Sequence, residues 1–157
     1  MRITLVDLLV AAAVLGLLAF VFLGGRQATV PAVLASATLT PGSLNPDVTQ
    51  ATIGSTICVR GWTKTVRPPE SYTTPLKLRQ MQAYGERGPP SGYQEDHLIS
   101  LELGGNPTDP GNLWPEPYPR AADVDKIENE LNAKVCSGDL TLAEAQRQES
   151  QLKHEHG

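Results

Sequence analysis

Two carboxylates and a histidine stand together in the middle of an apolar stretch of this chain of 157 residues. Glu95, Asp96 and His97 precede the run "LISLELGGNPTDPGN", which ends at Asn112. An imidazole with a pKa of about 6.5 can take a proton from water at neutral pH, and carboxylates can hold a hard cation. An isolated Asp-His pair on a strand is usually incidental, so the candidate site depends on the elements around it.

The residues around this cluster predict the elements that would position it. The alternation in "DHLISLELGG" predicts a strand that ends in a Gly-Gly turn, and "NLWPEP" predicts a second short strand. From Asp123 to Val135 apolar residues recur at three- and four-residue steps, which predicts a helix that Gly138 closes. Neighbouring strand residues point to opposite faces, so Asp96 and His97 can share a site only if the strand twists or ends there.

Further elements are predicted on both sides of this unit. The β-branched segment "TICVRGWTKTVRPP" predicts a strand, and "TTPLKLRQMQAYG" predicts a helix that begins at Pro75 and ends at Gly85. Thr141 and Glu144 form a capping-box pattern, which predicts a second helix near the C-terminus. The fold class expected from these elements is α+β.

The order strand, loop, strand, helix, with Asp-His on the first strand and Asn at the start of the second, resembles the ββα-metal core of the HNH, or His-Me finger, nucleases. The resemblance covers Tyr93 to Val135. The block "EDHLISLELGGNPTDPGNLWPEP" also resembles that of exported bacterial HNH-like proteins, in which a Pro commonly stands where this chain has Ser100. It implies a small ββα-metal core with a flanking strand and helices.

The resemblance also implies a role for each matching residue. His97 would be the general base, and Asn112 would orient it and hold the loop. Asp96 and Asp125 would bind Mg²⁺ or Mn²⁺, which would stabilise the transition state of phosphodiester hydrolysis. The expected substrate is nucleic acid, with DNA favoured over RNA.

The chain departs from the family pattern at the third signature residue, which is usually His or Asn in the helix. No His lies between His97 and His154, so Asp125 is the substitute here, with Asp123 and Glu116 as rivals. Asp123 has the simpler interpretation of a helix N-cap. Glu95 is a candidate second-shell partner.

The N-terminal residues differ in composition from the rest. The run "LLVAAAVLGLLAFVFL" is uncharged and predicts a transmembrane anchor or a signal segment over residues 1–26. A Pro-, Ala- and Ser-rich flexible linker is expected over 27–46, the HNH-like domain over 47–153 and a disordered tail over 154–157. The domain is expected outside the cytoplasm, membrane-anchored or secreted.

Cysteine and charge usage bound the function further. Cys58 and Cys136 could pair in an oxidising compartment, or remain two buried thiols. The formal net charge of −4 argues against a strongly basic nucleic-acid wrapper. One segment nevertheless has a basic excess that could face phosphate, although such a cluster is more often a solvated surface. Its basic residues are Arg60, Lys64, Arg67, Lys77, Arg79 and Arg87.

A different class of function fits the same residues. Ser100 in place of Pro, the substituted third ligand and the acidic charge favour a catalytically inactive, disulfide-stapled binding or envelope-structural domain on the same fold. Activity and metal binding would separate the two hypotheses.

Overall fold

An antiparallel pair of strands and the helix that follows it lie at the centre of the computed structural model, which describes residues 34–156. Strand β1 is Tyr93–His97 and strand β2 is Leu113–Pro117. The helices are α1 (Trp62–Val66), α2 (Glu70–Tyr84), α3 (Arg120–Ser137) and α4 (Leu142–Glu155). The predicted α+β class is therefore confirmed. Within residues 34–156 no helix is long and apolar enough to cross a membrane, and the predicted membrane segment lies outside that range.

The first strand is shorter than the alternation predicted. It ends at His97, and the predicted continuation from Leu98 to Leu103 is a bend followed by a 3-10 turn. Leu98 packs with Trp114, whereas Ile99 and Leu103 join a separate core that includes helices α3 and α4. Leu98, Leu101 and Leu103 are all buried, although in a strand Leu98 would lie on the opposite face from the other two. Their alternation with polar residues therefore does not indicate a strand with one exposed face.

The second strand, "LWPEP", lies where the sequence predicted it, and its register with β1 is antiparallel. Asp96 is opposite Trp114, and Gln94 is opposite Glu116. Trp114 is fully buried. Its ring lies 6.2 Å from that of Tyr84, centroid to centroid, so the sheet rests on the end of α2.

The segment "TICVRGWTKTVRPP" was predicted as a strand, and this prediction is wrong. It contains the short helix α1, which begins after Gly61 at φ 86°, and a 3-10 turn at Ile53–Ser55 precedes it. The segment is tied to α3 by a disulfide between Cys58 and Cys136, whose Cα atoms are 5.6 Å apart. The predicted disulfide is thus confirmed. The tertiary contacts of the segment override the preference of its β-branched residues for a strand.

Helix boundaries were predicted well at the ends that carry a glycine or a capping box. Helices α2 and α3 stop at Gly85 and Gly138, both in the left-handed region. The capping box at Thr141 is also formed. In contrast, α2 begins at Glu70 rather than at Pro75, which lies inside the helix.

The start of helix α3 also differs from its prediction. It begins at Arg120 after Pro119, so Asp123 is not the N-cap. Asp123 instead lies in the first turn, and its carboxylate is 2.8 Å from the ammonium of Lys126. The earlier start is reasonable because proline readily precedes or opens a helix.

Two predicted boundaries of the domain are wrong. Residues 34–46 were assigned to the linker, yet Ala35, Thr40 and Asn45 are buried in this segment. The tail was predicted to be disordered from residue 154, yet α4 runs to Glu155. His154 Nε2 lies 3.0 Å from the carbonyl oxygen of Thr40, so the two ends of the described chain contact each other.

Candidate functional site

A polar cavity of about 400 Å³ opens between the end of β1, the bend after it and helix α3. Three residues of the predicted site, Asp96, His97 and Asp125, line this cavity together. Arg67, from the predicted basic cluster, also lines it. The other residues of the wall are Gln94, Ser100, Leu101, Glu102, Glu128 and Asn129.

The end of β1 explains how Asp96 and His97 reach one cavity although they are neighbours in sequence. In a continuing strand their side chains would point to opposite faces. The strand stops at His97, and the next residues bend away instead of extending the ladder. The sequence-based requirement that the strand twist or end at this point is met.

The imidazole of His97 is held in one orientation by a backbone carbonyl. Its Nε2 lies 3.1 Å from the oxygen of Pro107, in the loop between the strands. A carbonyl can only accept, so Nε2 carries the hydrogen and Nδ1 keeps its lone pair. Burial lowers the pKa of His97 below its ordinary value, although the Pro107 carbonyl opposes that shift. The imidazole is therefore neutral at pH 7 and able to accept a proton.

Asn112 holds the loop rather than the imidazole. Its carboxamide oxygen accepts from the backbone N–H of Ile99 at 3.0 Å, and its Nδ2 donates to the carbonyls of Ile99 and Asn106, each at 3.0 Å. Asn112 is fully buried. Pro107 follows directly after Asn106, so the Asn112 side chain acts on the imidazole of His97 through the loop that carries the Pro107 carbonyl.

Lys153, which sequence reasoning missed, is the cation closest to Asp96. It comes from α4, is 0% exposed, and places its Nζ 2.8 Å from Asp96 Oδ2. The same Nζ lies 2.6 Å from Glu128 and 3.6 Å from Glu149. It also donates to the backbone carbonyl of His97. The sequence did contain a signal, because Glu149 and Lys153 are four residues apart, the spacing of an ion pair within a helix.

One ammonium among four buried acids decides which of them are ionised. Burial alone would raise the pKa of Asp96, but the Lys153 ammonium lowers it to about 2. Burial would lower the pKa of Lys153, but the surrounding acids raise it well above its ordinary value. Burial and the Asp96 charge raise the pKa of Glu116 to about 9, and burial raises that of Glu128. Asp96 is thus the carboxylate that balances Lys153, and Glu116 holds a proton at pH 7.

Ser100 takes part in the same arrangement through its backbone. Its N–H lies 3.0 Å from each carboxylate oxygen of Glu149. A proline at this position would have no N–H to donate. Ser100, which stands where the proteins that the block resembles commonly have Pro, therefore supplies an N–H whose hydrogen bond the buried Glu149 accepts.

The remaining predicted residues do not reach the cavity. Glu95 points away from it and lines a separate cavity with Lys77, while Glu116 is buried beside Asp96 without lining either. Asp123 is exposed and paired with Lys126. Lys77 donates to the carbonyls of Pro90 and Tyr93. The other predicted basic residues, Arg60, Lys64, Arg79 and Arg87, are exposed on the surface.

The ligands that the resemblance implied do not fit a divalent metal as they stand. In the described part of the chain, no three His, Cys, Asp or Glu side chains are grouped so as to hold a metal ion. The Asp96 carboxylate is bound by Lys153, and Asp125 is exposed. The predicted Mg²⁺ or Mn²⁺ site thus stays a prediction.

Comparison of the chain with protein-family models, with curated proteins and with solved structures gave no match.

Proposed function

We propose that this domain hydrolyses phosphodiester bonds in nucleic acid, with His97 as the general base. The observation that carries the proposal is the bond between His97 Nε2 and the Pro107 carbonyl, which leaves Nδ1 as an acceptor. Nδ1 has no hydrogen-bond partner among residues 34–156, and His97 is one of the residues that line the polar cavity. A neutral, oriented imidazole of this kind is suited to deprotonate water.

The proposed step moves one proton and exchanges one bond to phosphorus. Nδ1 takes a proton from a water molecule while the water oxygen bonds to the phosphorus. The bond from phosphorus to the leaving oxygen breaks, and that oxygen takes a proton from solvent. Arg67, which also lines the cavity, supplies positive charge for the phosphate, since guanidinium groups bind phosphate oxygens well.

The order of elements supports the finer assignment to the ββα-metal fold. Strand β1, a loop held by a buried Asn, strand β2 and helix α3 follow one another between Tyr93 and Ser137. These are the parts for which the resemblance to HNH nucleases was stated. The disulfide favours an oxidising compartment, in line with a proposed exported domain tethered to a membrane through its N-terminus.

A cleavage assay with matched variants tests the proposal. The full-length chain, kept in non-ionic detergent, is incubated with supercoiled plasmid, single-stranded DNA and RNA, each in chelator, Mg²⁺ or Mn²⁺. We expect His97→Ala to lose about 10²- to 10⁴-fold in rate, as is usual for removal of a general base. His156→Ala, at the exposed end of the chain, should retain the wild-type rate. Equal rates for His97→Ala and wild type would exclude His97 as the base.

A second candidate is the inactive binding domain, and the Lys153–Asp96 pair favours it. A carboxylate already neutralised by an internal ammonium offers little attraction to a metal that would activate a phosphate. Fluorescence anisotropy with a labelled single strand separates the two candidates. Binding that weakens in Arg67→Ala and weakens with salt, without cleavage under any of the cation conditions, would identify a binding domain.

A further inference from the structure

We infer that Lys153 is the resident cation of the buried carboxylate centre formed by Asp96, Glu116, Glu128 and Glu149, and that its ammonium takes the place a divalent ion would otherwise fill. The centre would then be complete without metal, and Lys153 would act as a positioning residue for His97. This inference does not depend on nuclease activity, because it concerns what holds the centre together.

The ammonium of Lys153 donates hydrogen bonds to three oxygen atoms. Lysine has three N–H donors, and here they meet Asp96, Glu128 and the carbonyl of His97. Glu149 adds its charge at 3.6 Å. Because Lys153 is 0% exposed, water does not compete for these donors. The ammonium is therefore fully coordinated by oxygen, as a small cation would be.

Lys153 connects three elements of the fold. Its side chain leaves α4 and joins the end of β1 to α3. The carbonyl of His97 lies on the same residue as the proposed base, so Lys153 fixes the backbone from which the imidazole projects. Loss of the ammonium would remove the tie between the three elements at the point where β1 ends.

Lys153 also balances the negative charge of the buried acids. A buried ion pair that loses one partner leaves an uncompensated charge, which is strongly destabilising. Removal of the Lys153 amine would leave the buried acids to face one another without a cation. They must then take up protons or another cation. Glu116, which is 0% exposed and is buried beside Asp96, adds a further carboxyl group to the centre.

Shortening Lys153 should therefore convert the centre into a divalent-cation site. Carboxylate oxygens are the ligands that Mn²⁺ and Ca²⁺ prefer, and the space vacated by the side chain would admit an ion with its remaining waters. In the wild-type protein the ammonium already fills this position, so we expect no divalent ion to bind there.

The test measures Mn²⁺ binding and thermal unfolding rather than cleavage. The full-length chain in non-ionic detergent is compared with Lys153→Ala and with Lys126→Ala, whose amine pairs with the exposed Asp123. Free Mn²⁺ is followed by electron paramagnetic resonance, and melting temperatures are recorded in chelator and in Mn²⁺. We expect Lys153→Ala to melt lower in chelator, to recover in Mn²⁺, and to bind Mn²⁺ at least about tenfold more tightly than the other two proteins.

Two results would overturn the inference. One is Mn²⁺ binding by the wild type with a Kd in the micromolar range that is lost in Asp96→Asn. The other is a folded Lys153→Ala that binds Mn²⁺ no better than Lys126→Ala. If Lys153→Ala does not fold in chelator, it is refolded in Mn²⁺. Recovery of the native near-ultraviolet spectrum there supports the inference, and failure to recover together with wild-type Mn²⁺ binding contradicts it.

The wild-type measurement still decides if the variant recovers in neither condition. Wild-type protein that keeps its melting temperature in chelator and binds no Mn²⁺ supports a resident ammonium. Because none of these readouts uses a nucleic acid, failure of the nuclease proposal leaves them unchanged.

Discussion

The side chain of Asn112 and the backbone of Ile99 bond to each other in both directions, with two hydrogen bonds of 3.0 Å. The pair closes the loop between the strands at its base, and the second bond of Nδ2 to Asn106 fixes the segment that precedes Pro107. The orientation of His97 is therefore set by an amide that never touches its ring.

Asn112→Asp tests this relationship with almost no change in shape. The substitution places an acceptor, or a charge, against the carbonyl oxygens of Ile99 and Asn106, which both need a donor. Unsatisfied buried polar groups of this kind should lower the free energy of unfolding by about 3 kcal/mol in urea melts. Gln151→Glu, an amide-to-acid change on the exposed surface of α4, is the control and should change it little. A loss below about 0.5 kcal/mol for Asn112→Asp would show that the loop does not need these bonds.

Gly105 is required at the same loop because of close approach. A Cβ at this position would collide with the carbonyl oxygen of Ile99 and lie 2.7 Å from Asn112 Nδ2. Backbone cannot yield as a flexible side chain can, so Gly105→Ala should be severely destabilised, by at least about 3 kcal/mol.

Gly54→Ala provides the comparison for Gly105, since an added Cβ there meets no atom within 4 Å. It should retain the wild-type melting temperature to within a few degrees. Similar melting temperatures for the two alanine variants would mean that the loop can shift to make room, and that the proposed constraint on His97 is weak.

The disulfide closes a separation of 78 residues between Cys58 and Cys136. In the chain-entropy model the loss of such a loop costs about 4 kcal/mol. The double variant Cys58→Ser and Cys136→Ser should therefore unfold at lower urea, and reductant should lower the stability of the wild type but not of this variant. A wild type that is indifferent to reductant under unfolding conditions would show that the thiols do not pair in solution.

How much could be predicted from the sequence depended on whether a residue's partners were local. The capping box of Thr141 and Glu144 spans one turn, and the stop at Gly138 depends on its own φ. Both were predicted because short-range chemistry decides them. Asp96, His97 and Asp125, which line one cavity, were selected from the order of elements in a resembling family rather than from local chemistry, and their roles stay predictions.

The errors came from residues whose neighbours lie far away in sequence. Leu98 and Ile99 are adjacent, yet they belong to two different cores, so no single period describes them. Lys153 would ordinarily be placed on the surface of a helix. Its burial follows from acids contributed by β1 and α3, which a single sequence does not bring together.

Glu95 gives a pH-dependent prediction that is independent of the cavity of His97. Its two carboxylate oxygens are buried and have no hydrogen-bond partner in the described part of the chain. Burial is the main cause that raises the pKa of Glu95 to about 8, with a further contribution from Asp96, while Lys77 and Arg79 oppose it. The folded protein therefore holds a proton on Glu95 through a range in which the unfolded chain, with an ordinary pKa of about 4.5, has released it.

The sign of the effect follows from that difference. The folded state binds more protons between pH 4.5 and about 8, so the stability linked to Glu95 is complete at low pH and is lost as pH rises through this window. Glu95→Gln cannot ionise, so its free energy of unfolding relative to wild type should increase from pH 5 to pH 9, by roughly 2 to 4 kcal/mol. Urea melts at pH 5, 7 and 9 measure it, with the exposed Glu130→Gln as the control. A difference that stays flat with pH would mean that Lys77 and Arg79 keep Glu95 ionised, because only an unchanged pKa removes the linkage.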